Sequence, residues 1–349
     1  MSSSIPKTQK QWVVKDTEHG FDGMVLEKDA PVPQVGETDV LVRLHGASLN
    51  FRDLIIPRGE YFFEQKFPVV PGSDGAGEVV AVGPKVTKWK VGDKVMTLFN
   101  QYHQSGPMNP RAMVSGLGGV IDGTLRQYGT FDQEGLVRMP SNLSYTEAAS
   151  LVCAGLTSWN ALFGLKPLKK GQWVLVEGTG GVSLFALQFA KAAGAHVIAT
   201  TSSKEKGEIL KKMGADHVIN YKEDENWGET VKKLTPNGEG VDQVLELGGK
   251  NTVRESIKAI KYEGVMSAIG LLGGEMPKES IMEPLLKVFT VRGVYVGPKD
   301  LMEDMAKFVE EHDIHPVMEK QEFSLDQLRE AYDYMWAAKH FGKMAINID

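Results

Sequence analysis

The chain has 349 residues, enough for two domains at roughly 150 residues each, and 42% apolar against 24% charged residues is a globular composition. Lys and Arg number 39 against 45 Asp and Glu, and the net charge of −6 argues against a dedicated nucleic-acid or anionic-membrane binder. A single cysteine, Cys153, excludes an internal disulfide framework and fits a reducing, cytoplasmic setting; Met1 to Pro6 lacks the apolar core of a signal peptide, and no apolar run is long enough to span a membrane.

Residues 12 to 98 read as short β segments broken by Gly and Pro, such as Val40 to Leu44, Gly77 to Gly83 and Val91 to Val95, which is a barrel-like pattern. Residues 100 to 125 carry two prolines and five glycines and read as a long irregular loop. From about residue 170 the rhythm changes. Trp173 to Val176 is a short apolar run, Gly178 to Gly181 a turn, and Val182, Phe185, Phe189 and Ala193 recur at helical spacing. His196 to Ala199, His217 to Ile219, Val244 to Leu247, Val265 to Ile269 and Thr290 to Val296 read as strands. Helices are expected over Lys204 to Met213, Trp227 to Leu234 and Asn251 to Lys261. Strands alternating with helices predict a doubly wound parallel sheet. The chain then reads as helix (Asp300 to Glu311), strand (Glu319 to Phe323), helix (Leu325 to Ala338) and strand (Met344 to Ile348). The expected domains are 1–135, 136–297, and a 298–349 segment completing the first.

A strand, a glycine turn and an amphipathic helix are the parts of a dinucleotide site: glycines let the backbone approach a pyrophosphate, and the helix start supplies N–H donors. Here the turn is Gly178, Thr179, Gly180, Gly181, Val182, with Ser183 where a third glycine is usual. The plainer reading is a tight turn between packed elements. After the second strand, an acidic residue would accept from a ribose diol. The segment Thr200 to Lys206 offers Ser202, Ser203 and Lys206, which suit a 2′-phosphate and favour NADPH. Glu205 within it is the objection, and a helix start capped by Ser202 or Ser203 is the alternative.

Asn50-Phe-Arg-Asp53, Pro71 to Glu78, Gly92 to Val95, Cys153 to Thr157, the Gly178 turn and Gly214 to Tyr221 occur in that order. This ordered set resembles the medium-chain dehydrogenase/reductase superfamily, and within it the zinc-free quinone-oxidoreductase-like branch. The resemblance implies a GroES-like β-barrel substrate domain built from both chain ends, a Rossmann domain inserted in it, and an active site in the interdomain cleft. It also implies a homodimer or homotetramer joined through Rossmann sheet edges, with Thr290 to Val296 at the edge. In zinc-dependent members three side chains hold the metal; the corresponding positions here are Asn50, Ser73 and Cys153, and zinc takes thiolate, imidazole or carboxylate ligands rather than an amide or a hydroxyl. No zinc is therefore expected. The resemblance further puts Thr157 against the nicotinamide, Gly270, Leu271 and Val296 near the carboxamide, and Lys206 and Tyr221 at the adenosine phosphate.

Hydride delivery leaves negative charge on an oxygen. A saturated ketone yields a strongly basic alkoxide, which calls for a metal or a positioned acid; an enone or quinone yields a weaker base that hydrogen-bond donors can hold. The expected function is an NADPH-dependent, zinc-independent reductase of an activated C=C bond or quinone, acting on a small molecule. An alcohol dehydrogenase or carbonyl reductase, and a cofactor-binding protein without turnover, are the alternatives. Asn50, Arg52 and Tyr61 are the candidate catalytic donors. Asn50 has a turn-stabilising alternative, Tyr61 a packing one, and Arg52 an ion-pairing one. His103 reads as a solvent-exposed loop histidine.

Overall fold

A computed structural model describes residues 5–272 and 276–349 of the chain; the segment Met1 to Ser4, part of the leader reading, lies outside them. Contacts divide the chain into two units, one running to Leu156 and resuming at Gly297–Asp349, the other Thr157–Val296.

In the first unit, β1 (Thr8–Val14) and β2 (Met24–Pro31) form an antiparallel ribbon. The larger sheet contains β3 (Asp39–Leu49), β4 (Asp74–Val82), β5 (Lys94–Thr97), β6 (Tyr128–Asp132) and β7 (Leu136–Arg138). Val40, Val42 and Leu44 of β3 enter a core shared with Trp12, Leu54, Phe131 and Tyr332, and Leu41 between them is buried as well. Residues 100–125 carry only the four-residue helix Pro110–Met113 and isolated bridges, in keeping with an irregular loop.

The second unit holds β8 (Trp173–Glu177), β9 (His196–Thr201), β10 (His217–Asn220), β11 (Val241–Glu246), β12 (Ile260–Ala268) and β13 (Thr290–Gly293). They lie in the order β10-β9-β8-β11-β12-β13, every pair parallel. This is the doubly wound Rossmann order, in which a ligand binds at the carboxyl ends where the order reverses, here between β8 and β11. Leu175, Ile198, Val244 and Met266 line its core with Val231 and Ile260. β13 ends the sheet, as expected of Thr290 onward, but stops at Gly293.

The chain closes with β14 (Phe323–Ser324) and β15 (Met344–Asn347); β15 pairs antiparallel with β3. The expected strand over Glu319 to Phe323 is thus mostly absent, with only an isolated bridge at Met318–Lys343 before it. The first crossing between units also falls at 156/157 where the sequence suggested 135/136. The reason is pairing: β7 hydrogen-bonds to β5, and the helix Tyr145–Ser150 packs on β3 and β4, so residues 136–156 stay with the first unit. The return at 296/297 lies one residue from the expected 297/298.

Candidate active site

In the first unit, Asn50 stands at the end of β3 and starts the short helix Phe51–Ile55; the Asp53 carboxylate accepts from the Asn50 backbone N–H at 2.8 Å. The antiparallel register pairs Met344 of β15 with Leu49, which brings Lys343 opposite Asn50. The Lys343 Nζ, 4% exposed, donates to Asn50 Oδ1 at 2.6 Å, to the Leu49 carbonyl at 2.8 Å and to Asp74 Oδ2 at 3.2 Å. Asn50 Nδ2 donates to Ser73 Oγ at 3.3 Å, and Ser73 Oγ donates to Asp74 Oδ1 at 2.9 Å. Ser48 Oγ adds a bond to Asp74 Oδ2 at 2.7 Å. All of these groups are buried.

Arg52, on the same helix, and Tyr61, in the segment that follows it, form a second cluster. Arg52 Nε donates to Tyr61 Oη at 3.3 Å and its Nη1 to the Leu117 carbonyl at 2.8 Å. Its guanidinium carbon lies 4.6 Å from the Phe99 ring centre and 5.1 Å from that of Tyr61, within cation–π range. Arg52 is therefore held by protein groups, and the Tyr61 oxygen accepts one of its bonds. Asp53 is buried with Oδ1 lacking a hydrogen-bond partner, although Arg52 Nη1 approaches it at 3.6 Å. Burial outweighs the Arg52 attraction and, with Asp74 nearby, pushes the Asp53 carboxyl up to about 6.

Cys153 lies in a π-helical turn, Leu151–Gly155. Burial, helped by the Asp74 charge, pushes its thiol up to about 12, so at neutral pH it is a thiol and not a thiolate. The three positions corresponding to zinc ligands thus offer an amide oxygen already bonded to an ammonium, a hydroxyl donating to a carboxylate, and a protonated sulfur. That donor set does not suit a cation that binds deprotonated sulfur, imidazole or carboxylate. His103 departs from the solvent-exposed expectation: it is buried, its Nε2 within 2.9 Å of the Gly106 carbonyl.

The second unit brings the expected dinucleotide residues to the carboxyl ends of its strands. Gly178 leaves β8 at φ +76, a conformation that costs an L side chain about 1–2 kcal/mol. Its N–H bonds the Thr200 carbonyl at 2.9 Å. Gly180 caps the helix Gly181–Ala192 at φ −78, and a Cβ added at either glycine would meet nothing within 4 Å. Open space above two glycines, at a helix start with unpaired N–H groups, is a cradle fit for a pyrophosphate. Ser183 replaces the third glycine without opening the packing: it is buried, and its Oγ donates to the Glu177 carbonyl at 2.6 Å. Thr179 and Val182 are half-buried around this turn. Ser158 Oγ donates to the Val182 carbonyl at 2.7 Å, which ties the helix bearing Thr157 to it.

Ser203 caps the helix Lys204–Lys212; its Oγ accepts from the Lys206 N–H at 3.3 Å and donates to Glu205 Oε2 at 2.6 Å. That bond occupies Glu205 and holds its carboxyl below the ordinary range. The Tyr221 N–H bonds the Thr201 carbonyl at 3.1 Å, so Tyr221 flanks the β9 end beside Ser202, Ser203 and Lys206. Gly270 and Leu271 run alongside the end of β11, where the Ile269 N–H bonds the Glu246 carbonyl and the Leu272 N–H that of Leu247. Val296 has φ +52, an outlier for a β-branched residue. Asn160 Nδ2 donates to its carbonyl at 2.7 Å, while Arg292 Nη2 donates to Asn160 Oδ1 at 2.7 Å.

Sequence reasoning missed four groups. Lys343, Asn160 and Arg292 act across long sequence separations, and a lone Lys before the apolar run Met344 to Ile348 was the only hint of the first. The fourth is the carboxyl pair Glu177 and Glu246, which ends β8 and β11. Glu177 accepts from the Leu247 N–H and from Ser256 Oγ, and Glu246 from the Gly249 N–H and the Thr252 hydroxyl. Burial and the neighbouring Glu246 charge push Glu177 well above the carboxylate range. Among the described residues no three His, Cys, Asp or Glu side chains gather as a metal cluster, and no helix is long and apolar enough to cross a membrane.

Residues 36–141 match a family model described as an alcohol dehydrogenase GroES-like domain, and residues 181–311 one described as a zinc-binding dehydrogenase. A zinc-type alcohol dehydrogenase-like protein of Schizosaccharomyces pombe is 43% identical over 97% of this chain and 99% of its own. A Sinorhizobium meliloti 1021 structure described as a candidate alcohol dehydrogenase superposes with a TM-score of 0.91 at 36% identity, covering 99% of this chain and 100% of that one. A crotonyl-CoA carboxylase/reductase superposes with a TM-score of 0.86 at 25% identity, over 99% of this chain and 89% of its own.

Proposed function

The chain belongs to the medium-chain dehydrogenase/reductase superfamily and is an oxidoreductase, and from that premise we propose that it is an NADPH-dependent, zinc-independent reductase of activated C=C bonds or quinones. The observation that carries the proposal is the Asn50, Ser73, Cys153 donor set with Lys343 bonded into it. Bound NADPH would supply the hydride. Gly178 to Val182 would hold its pyrophosphate, and Ser202, Ser203, Lys206 and Tyr221 its 2′-phosphate. Asn50 would donate an N–H to the substrate oxygen as charge collects there. Tyr61, oriented by Arg52, would add its phenol proton. Such neutral donors suit an enolate or phenolate, which is a weak base, better than an alkoxide.

Carbonyl reduction is the second reading, favoured by the alcohol-dehydrogenase relatives and by Tyr61 as a proton source. The deciding experiment follows NADPH consumption with an enone, a quinone and a ketone, and NADP reduction with an alcohol, each with and without chelator. Reduction of the enone or quinone that survives chelation supports the first reading. Activity confined to ketone and alcohol and abolished with loss of about one zinc per chain would overturn it.

We propose further that two chains associate through the outer edge of β13, where Val291 is exposed and Ile281, Leu285 and Leu286 lie exposed in the segment before it. A Val291→Lys variant should sediment as a monomer if so, and at the wild-type size if not. The lone thiol suits a reducing cytoplasm.

A further inference from the structure

The bonds around Asn50 close into a ring with every donor direction fixed. An ammonium can only donate, so the atom of Asn50 facing Lys343 is the amide oxygen. The amide nitrogen then faces Ser73, whose oxygen accepts because its own proton goes to Asp74 Oδ1. Asp74 Oδ2 returns to Lys343 and closes the ring. All three Lys343 protons are used, on Leu49, Asn50 and Asp74. Of the two Asn50 amide protons, one is used on Ser73 and the other has no acceptor among the described residues. It is the ring's one remaining donor.

We propose that Lys343 is a positioning residue: it locks the Asn50 amide with its spare N–H presented to the substrate oxygen, and polarises that N–H through the amide. Lys343 itself never touches substrate, since it has no proton left to give. The cation that a metal would bring to this position acts here one residue removed. This inference rests on the reading of Asn50 as the oxygen-binding donor.

Removing Lys343 alone would strand the buried Asp74 charge and threaten the fold, so the test uses the paired variant Lys343→Met/Asp74→Asn. With NADPH and cyclohex-2-enone, kcat should fall about ten- to a hundredfold, a lost share of oxyanion stabilisation, while the NADPH dissociation constant holds. In an Asn50→Ala background the same pair should lower kcat no further. An unchanged kcat, or an equal loss in the Asn50→Ala background, overturns the proposal. The Asn50 side-chain amide resonances, identified by their loss in Asn50→Ala, give a readout without turnover. In the paired variant they should shift and converge as the amide is freed, and resonances that stay in place overturn the proposal. If wild type reduces no acceptor at all, the functional reading fails, and the resonances still decide whether Lys343 holds the amide.

Discussion

Gly178 and Gly180 sit two residues apart in one turn, yet alanine at each should fail for a different reason. Gly180 has φ −78 and ψ 170, which any residue adopts, and empty space where a Cβ would go. Gly180→Ala therefore meets no protein atom. Its stability change is the balance of a less flexible unfolded chain, about 0.4–1 kcal/mol in favour, and a poorer helix cap, about 0.5–1 kcal/mol against. The two nearly cancel, and Tm should move by no more than a few degrees. The new methyl group, however, fills the space through which a pyrophosphate would reach the N–H groups at the start of Gly181–Ala192 if the proposed cofactor reading holds. Losing one charge-assisted hydrogen bond there costs about 1.5–3 kcal/mol, or roughly a ten- to 150-fold weaker NADPH complex. Gly178→Ala also finds open space, but at φ +76 it carries about 1–2 kcal/mol of backbone strain and should lower Tm. The assay is a fluorescence titration with NADPH beside a thermal melt for each variant. If Gly180→Ala binds NADPH as tightly as wild type, the phosphate does not lie over this turn. If it melts as early as Gly178→Ala, the empty space above it has been misjudged.

Tyr61→Phe should slow turnover about a hundredfold with little change in NADPH affinity; unchanged turnover would assign Tyr61 to packing against Arg52 and Phe63. Lys206→Ala should weaken NADPH by ~1–2 kcal/mol and leave NADH nearly unaffected, with the difference shrinking as salt rises; equal losses in calorimetric titrations would make Lys206 a support of the fold. Asp53, held near 6 by burial, keeps its proton longer folded than unfolded. The stability it contributes is complete below about pH 4 and lost as pH rises through about 6, some 2–3 kcal/mol in all. Asp53→Asn should flatten that decline in urea denaturation across the interval, and an unaltered slope would mean the carboxyl is ionised throughout.

The sequence was most informative where chemistry is local. A glycine turn between an apolar run and a helical repeat announces itself, because both the positive φ at Gly178 and the period-3.6 burial of Phe185 and Phe189 follow from adjacent residues. The six strands of the parallel sheet were visible for the same reason, with ends displaced at Val244, Val265 and Val296. The unit boundary was not, since Leu136–Arg138 joins the first unit by pairing with Lys94–Thr97, and nothing near residue 136 encodes that choice. At the candidate site, Asn50 and Tyr61 could be nominated through the positions they share with the family the chain resembles. Their partners could not: Lys343 lies 293 residues from Asn50, and only the register of β15 on β3 makes them neighbours. Glu177 and Glu246 escaped because a glutamate at a strand end looks solvated until the neighbouring strand is known.

The ring at Asn50 also has a history in time. Asp74 and Asn50 are synthesised long before Lys343, which follows Asp74 by 269 residues. Throughout that interval the first unit lacks β15 and the cation for its buried carboxylate, whereas Thr157–Val296 has all six of its strands in one continuous stretch. Domains fold as units during synthesis, so the inserted unit can reach its native state while the surrounding one still waits. A chaperone that holds nascent chains would meet this protein as a folded inserted unit flanked by an open sheet. Its release would be timed by the arrival of residues 343–347, and a stop codon in that short strand would cost the first unit its closure while sparing the second.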